Sequence, residues 1–369
     1  MSEKNYINFH CLISHSPSCL NRDDMNMQKT TIFGGTRRIR VSSQSLKRTI
    51  RHSEYYKKHI SQPSDRTREL GSLLKKYIEK LQDQFSAETI TTVVELLSGV
   101  RDISDETRSG AVAPWAISEV SKYCQAYEQL KSENSDEKAF VKAWQKKLKS
   151  GMAEFQAALS DSADIALSGR MATSGIMTSI DASFALAHAI TTHAVSGDID
   201  WFTAVDDLVV ESGETGSGHL DTQEFSAGVF YRYGSLNIRQ LQENLGGATR
   251  EDALKLAKHL LHLLCTEVPS AKQNCFAAFN HADFAFVSFG DMPISLANAF
   301  EKPVTQDRDG GFLAPSIKEF CSYQKKLFEG YSLDDKTAWF SLQECDLADG
   351  KMKSLADLEN WVERDGEDE

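Results

Sequence analysis

The sequence predicts an α+β fold, in which a few strands and helices carry long insertions. Residues 6–13 alternate so that Ile7, Phe9, Cys11 and Ile13 share one face of a strand. Residues 64–160 show helical patterns with many Lys and Glu, broken once at Pro114. The order strand, helix, helical insertion, hairpin, strand, helix and strand fits a small α+β core with insertions.

A long polar segment follows the first strand, from about residue 14 to residue 41, and a loop of this length is usually functional or mobile. Residues 44–60 then show a helical pattern, with Ser43 as the expected N-cap. At about 100° per residue, Leu46 and Ile50 face a core. The opposite arc is polar and basic, and it contains Gln44, Lys47, Arg48 and Arg51.

Later segments alternate between strand-like and helical patterns. Residues 165–178 predict loop or strand, and a short helix is expected over 184–190. Residues 198–207 enter a Gly-rich tip at 211–218 and return as a strand at 225–233, which predicts a protruding β-hairpin. Thr249 and Asp252 form a capping-box pattern before a helix over 253–264, and residues 276–289 predict a buried strand region.

Charge is unevenly distributed along the chain. The 369 residues include 41 Lys+Arg and 53 Asp+Glu, a net charge of -12, which argues against a uniformly basic nucleic-acid binder. Seven basic residues and no acidic residue occur from Lys29 to Arg51, and removing these seven charges leaves -19 on the remaining residues. This basic strip fits a solvated face that pairs with the acidic remainder, a surface for anionic lipid, or a surface for RNA or DNA.

Composition excludes several other classes of protein. A hydrophobic content of 41%, with 22 Gly and 7 Pro, excludes a disordered or collagen-like chain. The first residues lack a signal-peptide pattern, and no run of about 18 apolar residues occurs, so we expect no membrane partner. Seven widely spaced cysteines without a CxxC pair argue against a disulfide framework or a zinc ribbon and favour the cytoplasm.

Two pairs of residues allow both a structural and a functional interpretation. Trp201 and Phe202 suit either a core or the stacking of bases on an exposed hairpin. Arg170 and Met171 suit either a loop cation with a core methionine, or a phosphate contact with a thioether wedged between bases.

Metal-ligating residue types occur at two places. His259, His262 and Cys265 recur along one helix and fit a packed helix face better than a metal cluster. Asp23 and Asp24 lie beside the basic strip, where a carboxylate either forms a hydrogen-bonded loop pair or holds a metal for phosphodiester cleavage.

Blocks of sequence in a fixed order carry a resemblance to a known family. They are 14–26 (SHSPSCLNRDDMN), 33–38 (FGGTRR), 42–48 (SSQSLKR), 166–173 (ALSGRMAT), 200–207 (DWFTAVDD), 222–225 (TQEF), 241–247 (LQENLGG) and 291–293 (DMP). Together they resemble the CasC-type backbone subunits of the type I-E CRISPR Cascade complex. The match runs from about residue 6 to 315, and it is looser over 60–160 and beyond 330.

The resemblance implies a hand-like architecture with an RRM-like (ferredoxin-like) palm, a helical fingers insertion and a β-hairpin thumb. The corresponding segments are 1–60 for the first part of the palm, 61–183 for the fingers, 184–195 for a palm connection, 196–224 for the thumb and 225–369 for the second part of the palm with C-terminal helices. The tip at 211–218 is longer and richer in Gly than the tip of the family's thumb.

The resemblance also implies a function. Such subunits are non-catalytic, stack head to tail along a guide RNA (crRNA), kink it at regular intervals and present it for pairing with target DNA. The implied partners are crRNA, target DNA, copies of the same chain and other Cascade subunits, with no cofactor and no metal. The expected RNA-binding residues are Arg22, Lys29, Ser42, Ser43, Gln44, Lys47, Arg48, Arg51, Arg170, Met171, Trp201, Phe202, Thr203 and Val205.

An alternative function is a metal-dependent ribonuclease. Backbone subunits of the related type III complexes resemble this fold and cut target RNA with a loop aspartate after the first strand. Asp23 or Asp24 would then be the catalytic residue.

Overall fold

The computed structural model describes residues 3–134, 136–150, 162–171, 177, 179–205, 217–347 and 349–367. Its strands are β1 (Tyr6–Ser18), β2 (Thr30–Phe33), β3 (Thr36–Val41), β4 (Asp65–Glu69), β5 (Arg108–Trp115), β6 (Phe184–Leu186), β7 (Ala189–Thr191), β8 (Asp198–Val205), β9 (Ser217–Asn237), β10 (Phe284–Gly290) and β11 (Lys336–Ser341). Its α-helices are α1 (Ser43–His52), α2 (Glu54–His59), α3 (Leu70–Leu81), α4 (Ala87–Ser98), α5 (Ile117–Glu133), α6 (Glu137–Ser150), α7 (Ala163–Ser168), α8 (Ile238–Asn244), α9 (Arg250–Thr266), α10 (Gln273–Phe276), α11 (Leu313–Gly330) and α12 (Leu355–Glu363).

The chain divides into two compact units. The sheet unit comprises Met1–Ser53, Leu186–Ser235 and Ala257–Glu369, and the helical unit comprises Glu54–Ala185 and Leu236–Leu256. The described residues form a nine-stranded sheet in the order β11-β10-β1-β9-β7-β3-β2, with β6 and β8 also paired to β9. The pairings β1–β10, β10–β11 and β3–β7 are antiparallel. The predicted mixture of helices with an antiparallel sheet is confirmed, and the RRM-like arrangement stays a prediction.

The first strand, β1, is buried on both faces. Its alternation predicted one apolar face, but the other face is also covered and contains Asn8 and His10. Both polar groups have partners, as buried polar groups require: the Tyr233 hydroxyl donates to Asn8 Oδ1 at 3.0 Å, and His10 Nδ1 lies 2.8 Å from the Tyr231 hydroxyl. Phe320 of α11 packs edge-on against the His10 ring, which places α11 over this face.

The segment predicted as a long loop contains a β-hairpin. β1 continues to Ser18, and β2 and β3 pair across Gly34 and Gly35, whose φ angles are 57° and 73°. A two-residue hairpin turn with positive φ at both positions favours glycine. A Cβ atom at Gly34 would also lie 1.6 Å from the Glu301 carbonyl oxygen. The loop prediction for 14–41 is therefore wrong outside the connection at about 19–29.

The helical unit has its own core. Tyr77 of α3, Leu97 of α4 and Val120 of α5 are 0% exposed and belong to one apolar cluster. The expected helical character of 64–160 is confirmed for α3 to α6, but β4 and β5 form an antiparallel pair that the sequence pattern missed. β4 is polar at every position and β5 does not alternate between apolar and polar residues, so neither shows the pattern of a half-buried strand.

Several other element predictions have definite outcomes. The expected helix over 44–60 is present as α1 and α2, the β8–β9 hairpin is confirmed, and the Asp252 N–H donates to Thr249 Oγ1 as a capping box requires. Residues 163–168 form α7 instead of loop or strand, and residues 184–191 contain β6 and β7 instead of a helix. No helix in the described part of the chain is both long and apolar enough to cross a membrane.

Candidate nucleic-acid interface

Helix α1 begins at a serine pair, and the protein itself closes its first turn. Ser42 is the N-cap, because its Oγ accepts from the Ser45 N–H at 3.2 Å, so the predicted cap at Ser43 is wrong by one residue. The Ser43 N–H donates to His188 Nδ1 at 2.8 Å. Two of the first N–H groups therefore already have acceptors, and the helix start offers an anion fewer donors than an uncapped helix would.

The two sides of α1 differ as the sequence predicted. Leu46 and Ile50 are buried, at 2% and 8% exposure, and they fix one side of the helix against the protein. Gln44 and Arg48 are exposed, and Lys47 is half-buried. An amphipathic helix of this kind holds its cations at the surface because its apolar side is packed.

Arg51 differs from its predicted neighbours on this face. Its side chain is buried, at 8% exposure, and its guanidinium lies 3.2 Å from the His52 ring. The expectation that Arg51 presents an exposed cation is therefore wrong, because the end of α1 is covered. The exposed position in this turn belongs to His52.

The connection after β1 lies against the start of α1. Asn21 Oδ1 accepts from the Ser42 N–H at 2.9 Å, and the Asn21 carbonyl accepts from the Lys29 N–H at 2.9 Å. Arg22 is exposed, and its guanidinium donates to Asn26 Oδ1. Two hydrogen bonds that Asn21 accepts thus hold the connection that contains Arg22 and Lys29 beside the helix.

A cleft of about 560 Å³ lies between this connection, α1 and the segment 267–271. Arg22 and Arg48, which are 26 positions apart, both line it, and His52 lies on the same wall. Asn21, Ser45 and Thr49 add polar groups, while Glu267 supplies a carboxylate whose pKa is raised, chiefly by burial. The arrangement suits a ligand with negative charge and several hydrogen-bond acceptors.

The cations of the basic strip fall into two groups. Arg38 is 0% exposed and donates to the carbonyls of Thr191 and Phe300, each at 2.9 Å, while Arg37 pairs with Glu224 at 3.1 Å. These two guanidinium groups have partners within the sheet unit. Within the described residues, the side chains of Arg22, Lys29, Arg40 and Arg48 make no ion pair with a carboxylate.

His188, which lies beside the start of α1, has neighbouring groups that change its pKa. Burial lowers the pKa of His188, and the nearby cations Arg40 and Lys29 lower it further. The ring therefore stays neutral near pH 7, where its Nδ1 accepts from the Ser43 N–H. The two neighbouring charges are both positive, so this position favours an anionic partner.

Asp23 has a structural role in the connection after β1. Its Oδ1 accepts from the Met25 N–H at 2.9 Å and from the Met27 N–H at 3.0 Å, which closes a tight turn. This matches the interpretation of the pair as a hydrogen-bonded loop motif. Asp24 is exposed, and no group of three or more His, Cys, Asp or Glu that could hold a metal occurs within the described residues.

Strand β8 carries the predicted aromatic pair. Trp201 is 67% exposed and Ile199 is 59% exposed, so Trp201 is a surface side chain and not part of a core. Phe202, Thr203 and Val205 lie in the paired strand, opposite Asp221, Leu220 and Ser217. Their side chains and the Gly-rich tip lie outside what the structure describes, apart from the tip's last two residues, which begin β9.

Arg170 and Met171 are neighbours in the helical unit, but one side chain is buried and the other is exposed. Arg170 is 3% exposed and donates to both carboxylate oxygens of Glu119, at 2.6 and 2.8 Å. The predicted phosphate contact at Arg170 is wrong, because this guanidinium is buried and held by a carboxylate. Met171 is 86% exposed, which is unusual for a large apolar side chain and leaves it accessible to a ligand.

Sequence reasoning missed two features beside α1, of which only the segment 267–271 lines the cleft. His188 follows a strand that the pattern assigned to a helix, and the segment 267–271 connects two helices without a charged or glycine-rich motif. Only Pro269 marks that segment as a break in helical structure. Both are brought to α1 by the tertiary fold, and no local signal connects them to it.

The chain is similar along nearly its whole length to a solved chain described as "CRISPR RNA-guided surveillance complex, pre-nicking". The identity is 26%, the similarity covers 98% of this chain and 100% of that one, and the TM-score is 0.79. A second solved chain, described as "CRISPR RNA-guided surveillance complex", is 24% identical with 97% and 98% coverage and a TM-score of 0.58, and it shows the fold alone. No curated protein matches the chain.

These similarities show that the chain has the same class of fold as chains found in CRISPR surveillance complexes. The model of the family described as CT1975-like protein matches residues 7–364, and the chain belongs to this family.

Proposed function

We propose that the chain is a non-catalytic, crRNA-binding backbone subunit of a Cascade-type CRISPR surveillance complex. The observation that carries the proposal is the cleft beside α1, which Arg22 and Arg48 line and where neither of them pairs with a carboxylate of the described residues. The full-length similarity to a chain of a pre-nicking surveillance complex supports it. Membership of the type I-E subtype belongs to the same proposal and rests on the sequence blocks.

The proposed RNA contacts follow from accessibility. Arg22, Lys29 and Arg48 supply exposed or half-exposed charge, and Ser43, Gln44 and Lys47 line the accessible side of α1. Ser42 and Arg51 are each only 8% exposed, so we assign them a supporting role on the buried side of the helix. Backbone phosphates suit this set, because most of the groups are cations, together with one hydroxyl and one amide that can donate to phosphate oxygens.

The exposed apolar side chains supply a second kind of contact. Trp201 on β8 and Met171 in the helical unit are accessible, and both side-chain types pack against unpaired bases. In the proposed assembly, copies of the chain stack head to tail along the crRNA and leave most bases open for target DNA.

The decisive experiment measures RNA affinity as a function of salt. Replacing Arg22 and Arg48 with Gln should weaken binding to single-stranded RNA of any sequence and lower the salt slope by roughly 0.7 for each lost phosphate contact. The matched control replaces Arg68 and Arg108, two exposed arginines of the helical unit, and removes the same charge. An unchanged slope in the Arg22/Arg48 variant, or an equal loss in the control, would reject the proposed interface.

The non-catalytic part of the proposal has a separate test. Chain assembled on crRNA should leave complementary RNA intact in the presence of Mg²⁺. Cleavage that disappears in Asp24→Asn would establish the ribonuclease function instead. Asp23→Asn is a poorer probe, because the Asp23 carboxylate closes the turn.

A further inference from the structure

Two cysteines of the sheet unit lie in contact although they are 24 positions apart. Cys321 on α11 and Cys345, in the segment after β11, have their Sγ atoms 3.0 Å apart, and both are thiols. A disulfide bond needs about 2.05 Å between the sulfurs. The two sulfurs are therefore about 1 Å from bonding distance.

The two sulfurs differ in accessibility. Cys321 is 3% exposed and belongs to the apolar cluster beneath α11, whereas Cys345 is partly exposed. Both border an open groove of about 930 Å³. A soluble oxidant in this groove therefore reaches the Cys345 sulfur more easily than the Cys321 sulfur.

The hydrogen bond between the thiols makes them chemically unequal. The pKa of Cys345 is lowered, chiefly because Cys321 donates to its sulfur, and the pKa of Cys321 is raised by the same bond. Beside Cys345, the charge of Asp346 raises the pKa, and Lys325, which pairs with Asp346 at 2.9 Å, lowers it by less, so the hydrogen bond decides the direction of the shift. The accessible sulfur is thus also the one that forms a thiolate more readily.

We propose that Cys321 and Cys345 are a reversible dithiol site that low-molecular-weight disulfides oxidise. The Cys345 thiolate attacks one sulfur of the disulfide and forms a mixed disulfide, releasing the other half as a thiolate that takes a proton from water. Cys321 then loses its proton and attacks the Cys345 sulfur, and the second half leaves and becomes a thiol. Two protein thiols are oxidised and one small disulfide is reduced to two thiols.

The cross-link would tie α11 to the segment after β11. That segment is already held by the Lys325–Asp346 ion pair and by backbone hydrogen bonds from Trp339 to Gly350 and from Met352 to Trp339, each 2.8 Å. Closing the loop between the two cysteines restricts the unfolded chain, so the oxidised protein should melt at a higher temperature.

The chain contains its own controls. Cys11 and Cys265 are also in contact, with their sulfurs 3.6 Å apart, but both are buried, at 1% exposure. Cys275 is exposed, and within the described residues no second sulfur lies in contact with it. The proposal predicts three outcomes with glutathione disulfide: an internal bond at Cys321–Cys345, no reaction at Cys11–Cys265, and only a mixed disulfide at Cys275.

The test treats the full chain with glutathione disulfide, alkylates the remaining thiols and maps the peptides by mass spectrometry. The expected result is joint loss of the Cys321 and Cys345 thiols, a linked peptide pair, and recovery of both thiols with dithiothreitol. If Cys275 acquires glutathione while Cys321 and Cys345 remain alkylatable, the proposal is overturned, and this measurement needs no variant.

Two variants test the order of the steps. Cys321→Ser should accumulate glutathione on Cys345, because the resolving thiol is missing, and Cys345→Ser should leave Cys321 reduced. Glutathione on Cys321 in the second variant, or none on Cys345 in the first, would contradict the assigned roles. Circular dichroism of both variants confirms that each is folded before the comparison is made.

Discussion

Arg48 and Arg170 lie in two blocks that the sequence marked for RNA contact, yet their surroundings are opposite. Arg48 is exposed on α1 and lines a cleft with Arg22, and no carboxylate of the described residues pairs with it. Arg170 is buried in the helical unit, with both of its terminal nitrogens on Glu119. An exposed cation contributes to binding, because its charge is available to a partner. A buried one contributes to stability, because removing its partner leaves a charge in the interior.

The largest expected effect is in the helical unit. Glu119→Ala should lower the free energy of unfolding by about 3–5 kcal/mol, because it leaves the Arg170 guanidinium buried without its carboxylate. Denaturant unfolding followed by circular dichroism measures this loss. The control is Asp105→Ala, which breaks the exposed pair with Lys75 and should cost about 1 kcal/mol or less. If the free energy of unfolding fell equally in the two variants, burial would not make the Glu119–Arg170 pair more important for stability than the exposed pair.

The second-largest expected effect is a loss of stability at low pH, which comes from the buried His10. Burial lowers the pKa of His10 to about 3, whereas an unfolded histidine titrates near 6.5. Below pH 6.5 the unfolded state binds a proton that the folded state does not, so stability falls as the pH is lowered from 6.5 towards 3. At pH 5 the loss from this residue should be about 2 kcal/mol.

Unfolding measured between pH 7 and pH 5 in the wild type and in His10→Asn checks this assignment. The asparagine can place an acceptor near the Tyr231 hydroxyl but does not titrate. A pH dependence of the same size in both proteins would assign the effect to other groups.

The third prediction concerns the exposed hairpin. Trp201→Ala should change the free energy of unfolding by no more than about 0.5 kcal/mol, because the side chain is 67% exposed. Its RNA affinity should fall by the equivalent of about 1–3 kcal/mol if the ring stacks on a base. Thermal melting and RNA titration of the same variant test both parts.

A buried tryptophan provides the contrast with Trp201. Trp339→Ala removes a side chain that is 2% exposed and should cost about 3–5 kcal/mol of stability. A comparable loss of stability in Trp201→Ala would mark the hairpin as part of a core.

The smallest effect distinguishes two adjacent serines. Ser42→Ala should destabilise the protein by about 1 kcal/mol, because it removes the cap on the Ser45 N–H, while Ser43→Ala should be nearly neutral. Urea unfolding of the two variants resolves the difference. A larger loss of stability in Ser43→Ala than in Ser42→Ala would instead support Ser43 as the N-cap, as the sequence pattern predicted.

Local patterns predicted much of the fold and part of the site. The alternation of β1, the apolar side of α1, the β8–β9 hairpin and the Thr249–Asp252 cap each depend on residues a few positions apart. The β4–β5 pair and the β2–β3 hairpin were missed, since their residues do not alternate between apolar and polar as half-buried strands do. The candidate cleft was predicted only on the side formed by α1 and the connection after β1.

The sequence by itself determined the class of fold, the basic strip, and the blocks that resemble CRISPR backbone subunits. Only the tertiary structure decided which cations remain available. Arg37 and Arg38 differ by one position, yet Arg38 is buried against carbonyl groups while Arg37 remains half-exposed beside Glu224. Burial depends on distant segments that cover a side chain, and Thr191, Phe300 and Glu224 lie more than 150 positions away. Charge is a property of the residue, whereas its availability to a ligand is a property of everything packed around it.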